Sequence, residues 1–225
     1  MPRSDALSFH AKTQSTPSNP RSLKPETHNI RALLDAEAKA ILSIEVTDAF
    51  SEAIDIIHRC VHLKNGKVVT SGMGKAGEVA DNIATTLSST GTPAVFLHAG
   101  DAQHGDIGII QKNDVLVLFS NSGKTREVLE LIALSRKLHP KIPMIAVTGN
   151  KKSALAHAVD VVIHTGGPQE ICPLGLTPTT STTVMTVIGD VLVVLMMKKI
   201  GFTKEEYAKR HHGGYLGKKA RRVNG

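Results

Sequence analysis

Two hydrophobic rhythms divide the chain. In its first part apolar side chains recur at helical spacing, predicting helices over Arg31–Ser43 and Asp48–Leu63. In the second of these Ile54, Ile57 and Val61 share a face, and Thr47 stands where an N-cap belongs. Asn65-Gly66 then signals a turn. Beyond it the pattern changes to short, mostly apolar and often β-branched runs: Val68–Ser71, Ala94–Leu97, Val115–Phe119, Pro143–Val147 and Val159–Ile163. Runs of this kind, without polar alternation, predict strands buried on both faces. Helical stretches separate them at Lys75–Ser88, Thr125–Leu138 and Ala154–His157. Pro178 opens a long helix to Lys199, and a short helix over Lys204–Arg210 precedes Gly213-Gly214. Alternation of strand and helix implies right-handed parallel crossovers, hence an α/β fold: a three-layer α/β/α sandwich with a five-stranded parallel sheet.

A single domain over residues 28–217 accounts for these elements. Residues 1–27 are rich in Ser, Pro, Thr and basic residues and predict a disordered tail, since little apolar surface is available to offset ordering entropy. The scarcity of acids there also fits an organellar transit peptide. Residues 218–225 predict a basic tail.

Charge changes the picture less than its total suggests. The formal net charge is +7, yet residues 28–203 hold sixteen basic and sixteen acidic side chains, so the excess sits at the two ends. Nucleic-acid binding needs a clustered basic face, and 3% aromatic residues with no Trp offer few stacking platforms. The apolar run Val184–Met197 is broken by Thr186, Gly189 and Asp190; it reads as a core helix, too short for a membrane span. Cys60 and Cys172 form no disulfide framework and suit a reducing compartment. The expectation is a cytoplasmic protein with neither nucleic acid nor membrane as partner.

Two loops carry the candidate chemistry. Gly72-Met73-Gly74-Lys75-Ala76-Gly77 follows the first strand with dinucleotide-loop spacing, but His98 occupies the end of the second strand, where that reading wants an acid. A Walker A loop is excluded, because Val69 stands six before Lys75 and Ala76 follows it. What remains is a phosphosugar loop, or a tight turn with a solvent-facing Lys. The second loop, Ser120-Asn121-Ser122-Gly123-Lys124-Thr125, follows the third strand and opens a helix. Its hydroxyls and the helix-start N–H groups suit one phosphate, and Gly123 permits close approach. Ordinary N-capping by Ser122 would explain one hydroxyl, not three.

Ser-x-Ser-Gly-x-Thr between strand and helix resembles the sugar isomerase (SIS) domain. The segments Gly72–Gly77, STGTP (89–93), HAGDAQHGD (98–106), EICPLGLTPTTSTT (170–183) and HHGGYLG (211–217) narrow the resemblance to the arabinose 5-phosphate isomerase family, from about Ala36 to Lys219. Many members also carry a C-terminal pair of CBS regulatory modules, and the expectation for this sequence is a family member without that pair. Pro is common where His212 stands, Ser where Ala76 stands, and Pro-Gly-Glu where Ala99-Gly100-Asp101 stand.

The resemblance implies interconversion of D-ribulose 5-phosphate and D-arabinose 5-phosphate through an enediol, feeding eight-carbon ulosonate (Kdo) synthesis or an arabinose-derived product. It implies catalytic roles for Lys75, His104, Glu127, Glu170 and His211. Substrate contacts are implied for Gly74, Gly91, Thr92, His98, Ser120, Asn121, Ser122, Thr125, Thr180 and Ser181. No cofactor is required; Zn²⁺ on His98 would inhibit. Members similar to this chain are homotetramers with shared sites, which would give His211 its place. Histidines titrate near neutrality and suit proton transfer. His98 and His104 are also spaced to share a metal with a carboxylate, while Glu127 fits a first-turn acid and Glu170 a solvated loop acid. A hexulose or heptulose phosphate isomerase and a non-catalytic sugar-phosphate sensor are the competing readings.

Overall fold

The computed structural model describes residues 25–213, Tyr215 and Lys219. The expected tail 1–27 therefore lies outside the described residues except at its end, and the expected basic tail does so except for Lys219.

Five parallel strands form one sheet: β1 (Val68–Gly72), β2 (Ala94–Phe96), β3 (Val115–Phe119), β4 (Met144–Thr148) and β5 (Val161–His164), in the order β2-β1-β3-β4-β5. The helices are α1 (Pro25–Leu42), α2 (Ala49–Ile57), α3 (Gly74–Ser89), α4 (Arg126–Leu138), α5 (Ala154–Ala158), α6 (Thr180–Lys199) and α7 (Lys204–Arg210). Register is regular, with Val69 opposite both Val95 and Leu116, and Val117 opposite Ile145.

Both faces of the central strands are dry. Val115, Val117 and Phe119 point, with Ile145 and Val147, into a core shared with α2, α3 and α6. Leu116, Leu118, Met144 and Ala146 point the other way, into a core closed by α4 and by Leu155 of α5. This explains the absence of polar alternation in the strand sequences. The edge strand β2 is only half-buried and one residue shorter than expected, although the Leu97 N–H still donates to Thr70 O at 2.9 Å.

Three local expectations are corrected. The first helix begins at Pro25, not Arg31. Asp48, not Thr47, is the N-cap residue of α2, and it makes no side-chain cap bond. The helix expected to run to Leu63 widens at His58–His62 into a π-helical turn, in which the Leu63 N–H donates to His58 O at 3.2 Å. That extra residue lets consecutive Cys60 and Val61 both be buried.

Helix α6 has the length and composition of a membrane span, but it packs in the larger core against α1, α2 and α3. Its close approach to α3 is at Gly189, where a Cβ would land on Ile83 Cδ1 and Cγ1. Gly189→Val should therefore lower stability by about 1–3 kcal/mol through overpacking, read as a reduced midpoint in urea denaturation with unchanged slope.

Candidate active site

Two crossovers define the site. The chain leaves β1 through α3 and β3 through α4, and these helices lie on opposite faces of the sheet. A crevice must open where the direction of winding reverses, between the carboxyl ends of β1 and β3. There the structure has a cavity of about 350 Å³, lined by Lys75 and Ala76 at the start of α3, by Ser120–Ser122 and Thr125, and by Glu170 and Ser181.

Two helix starts face this cavity without a side-chain cap. The N-cap residue of α3 is Met73, and the following Gly74 has φ +54°; among the described residues no side chain receives the helix's first N–H groups. The N-cap residue of α4 is Thr125, whose hydroxyl instead meets Ser120 Oγ at 2.9 Å. Ser120 Oγ also accepts the Gly123 N–H at 3.1 Å, and Ser122 Oγ accepts the Lys124 N–H at 3.2 Å. The capping alternative for Ser122 is thus not realised at α4. Gly123 holds φ +62°, and a Cβ there would run into Ser153 Oγ. Bare N–H groups at a helix start, with nearby hydroxyls and Lys75, are the groups from which an anion cradle can be built.

The third helix start is capped, from far away in sequence. Glu170 Oε2 accepts the Thr179 N–H at 2.7 Å, the Thr179 hydroxyl at 3.0 Å and the Ser181 N–H at 3.2 Å. Burial pushes the Glu170 carboxyl up, but the Ser181 and Thr179 donors together outweigh it and hold the pKa below the usual glutamate range. Thr180 is buried just behind, accepting the Ile171 N–H at 3.2 Å and donating to Glu37 Oε1 at 2.9 Å. Its hydroxyl latches α6 to α1 and does not line the cavity.

Lys75, Ser120, Asn121, Ser122, Thr125, Glu170 and Ser181 are brought together, with Gly74 beside them. Lys75 Nζ is paired with Glu78 at 3.0 Å on the rim. Glu127 lies in the first turn of α4 and does not line the cavity. Exposed His104 ends a 3₁₀ turn, Asp101–His104, that Gln103 ties to Glu130 of α4. His98 Nδ1 is 3.4 Å from Asp101 Oδ2, and among the described residues no three metal-ligating side chains cluster. Gly91 and Thr92 precede β2 and so sit at the opposite edge of the sheet, where Thr92 Oγ1 meets His62 Nε2 at 3.2 Å. His211 ends α7, stacked on Tyr207 with centroids 3.7 Å apart, and its Nδ1 donates to Tyr207 O at 3.0 Å.

Sequence reasoning missed Met73, Ala76 and Phe119, and Gly175, Leu176, Pro178, Thr182 and Met185, as lining residues. The last five lie within or just beyond the CPLGLTPTTSTT segment, and most of the missed side chains are apolar, with no chemical signal of their own in the sequence.

The SIS domain profile matches residues 63–195. The chain belongs to the SIS domain family. Among curated SIS relatives it is similar to the arabinose 5-phosphate isomerase KdsD of Yersinia pestis, 45% identical over 186 residues, covering 83% of this chain and 55% of that protein. The chain thus spans about half the length of the curated relatives it matches. A Bacteroides fragilis structure, described as a phosphosugar isomerase involved in capsule formation, is 59% identical with TM-score 0.83, covering 84% of this chain and 99% of that one. An Escherichia coli CFT073 structure in complex with arabinose 5-phosphate is 33% identical with TM-score 0.77, covering 84% of this chain and 100% of that one.

Glu170→Gln keeps the shape but removes the charge that caps α6. At neutral pH it should cost about 1 kcal/mol of stability. Because the folded pKa is lowered, the wild-type advantage is complete above roughly pH 5 and fades as pH falls through the folded value. Urea melts of both proteins at several pH values check this; a difference that grows with acidity would contradict it.

Proposed function

We propose that the protein interconverts D-ribulose 5-phosphate and D-arabinose 5-phosphate. The observation that carries this is the convergence of two uncapped helix starts, the Ser120–Thr125 hydroxyls, Lys75 and an ionised Glu170 on one cavity of small-molecule size. The name of the 45%-identical relative and the sugar phosphate bound in the Escherichia coli structure support the choice of sugar.

In this reading the phosphate sits on the α4 start, held by N–H groups and by Ser120, Ser122 and Thr125. That anchor fixes the sugar so that its first two carbons reach toward Lys75 and Glu170. Isomerisation needs a base to take the C2 proton, stabilisation of the enediolate, and return of the proton to C1. Glu170, held low by its donors, is a poor base; it orients hydroxyls. Lys75 supplies positive charge to the enediolate. Proton transfer falls to His104 and His211, with Glu127 setting their charge. No redox or metal cofactor is needed, and Zn²⁺ recruited by His98 beside Asp101 inhibits. The product would feed eight-carbon ulosonate synthesis in the cytoplasm.

Within one chain His211, Gly91 and Thr92 stand away from the cavity, and α1 exposes Ile30, Leu33 and Leu34 while α6 exposes Val191 and Val194. A homotetramer that buries these apolar faces would let one copy complete another's site.

Metal-stripped protein incubated with D-ribulose 5-phosphate should yield arabinose 5-phosphate by chromatography; binding without conversion would favour a longer sugar or a sensor. Glu127→Gln and His211→Ala should each lower turnover about 10²–10⁴-fold without loss of folded structure, and near-normal turnover in either removes that residue from the scheme. If sites are shared, inactive His211→Ala and Ser120→Ala proteins should regain activity when their subunits are mixed after unfolding and refolding. No recovery would place each site within one chain.

A further inference from the structure

At the end of the sheet opposite the candidate site, where the chain enters the strands, lies a second cavity of about 550 Å³. Its floor is formed by buried Cys60 and Ile142. Its walls carry Arg59 and Lys64 from the segment before β1, Lys112 from the loop before β3 and Lys141 from the loop before β4.

The segment 28–203 is electrically balanced, so four of its sixteen basic side chains on one cleft are a local segregation of charge. One acid lines the cleft, Asp114, and it is fully used. It is 1% exposed; its Oδ1 accepts the Lys67 N–H at 2.9 Å, and its Oδ2 accepts Lys67 Nζ at 2.6 Å and the Gln111 N–H at 2.7 Å. Among the described residues no carboxylate lies within ion-pair distance of Arg59, Lys64, Lys112 or Lys141. His139 is held in place with Nε2 donating to Ile110 O at 3.2 Å. Burial pushes the Cys60 thiol up, against the pull of Arg59 and Lys64, and keeps this part of the floor uncharged.

Four like charges around one concavity repel one another, and a multivalent anion relieves that repulsion in a way monovalent salt does not. An apolar floor under a cationic rim fits a molecule with a flat, weakly polar body and a phosphorylated end. We propose that this cleft is a second ligand site, for a nucleoside phosphate, separate from the sugar-phosphate cavity. The strands place the two sites at opposite ends of the sheet, since each strand of five residues spans about 16 Å. A bound nucleotide would therefore not compete directly with the sugar.

The test is calorimetric titration of the full chain with ADP and with inorganic pyrophosphate, at about 150 mM salt to suppress diffuse attraction. ADP should bind saturably and more tightly than pyrophosphate. Lys64→Ala combined with Lys112→Ala should weaken ADP about tenfold or more while leaving the circular dichroism spectrum and basal isomerase activity unchanged, whereas Ser120→Ala should leave ADP binding intact. Absence of saturable ADP binding, or equal affinity in the double variant, would overturn the site. Loss of ADP binding in Ser120→Ala with retention in the double variant would assign the nucleotide to the sugar-phosphate cavity instead. Pyrophosphate binding as tightly as ADP would overturn the nucleotide assignment. None of these readings depends on which sugar the other cavity turns over.

Discussion

Right-handed crossovers force α3 and α4 onto opposite faces of the sheet, and the crevice between β1 and β3 follows from that handedness. The two loops that line the candidate cavity are arranged around it. The pairing of β1 with β3 brings Gly72 level with Phe119, so the loops that leave the two strands start side by side. Gly72 and Gly77 let the start of α3 lie directly on the end of β1: a Cβ on Gly77 would stand 2.9 Å from Gly72 O. The close approach brings the α3 N–H groups to the crevice; a larger residue at either position would move the helix away from it.

Much of this was legible in the sequence. Buried strands announced themselves as apolar runs, and their boundaries moved by no more than two residues when the ladder was formed. The Ser120–Thr125 loop was legible because three hydroxyls in six residues exceed what one helix cap can use. The earlier start of the first helix also had a signal, in Pro25 at its first position and Glu26 beside it. Residues of tail-like composition just upstream masked it. The π-helical turn had none: HRCVH reads as ordinary helix, and the widening arises only because Cys60 and Val61 both find the core.

Site residues separated by contact range. Glu170 caps α6 from nine residues upstream of Thr179, a distance at which capping patterns carry no sequence signature. Thr180 reads as a polar helix start, yet its hydroxyl is spent on Ile171 and Glu37. Gly91 and Thr92 could have been placed by topology: they follow a helix and precede a strand, hence lie at the amino edge, away from the carboxyl-end crevice. The proposed assembly of copies gives those residues and His211 a common reason for their position.

The unpartnered N–H groups at the starts of α3 and α4 have a thermodynamic side. A helix whose first turn lacks a cap frays more readily than its middle, and an anion seated there supplies the missing acceptor. Under the proposed function the phosphate of the sugar is that acceptor at the start of α4, so each loaded site tightens the helix that carries its anchor. Resistance to local opening, and with it lifetime against proteases, would then rise with the concentration of sugar phosphate. The protein's persistence would be set in part by the supply of the compound it consumes.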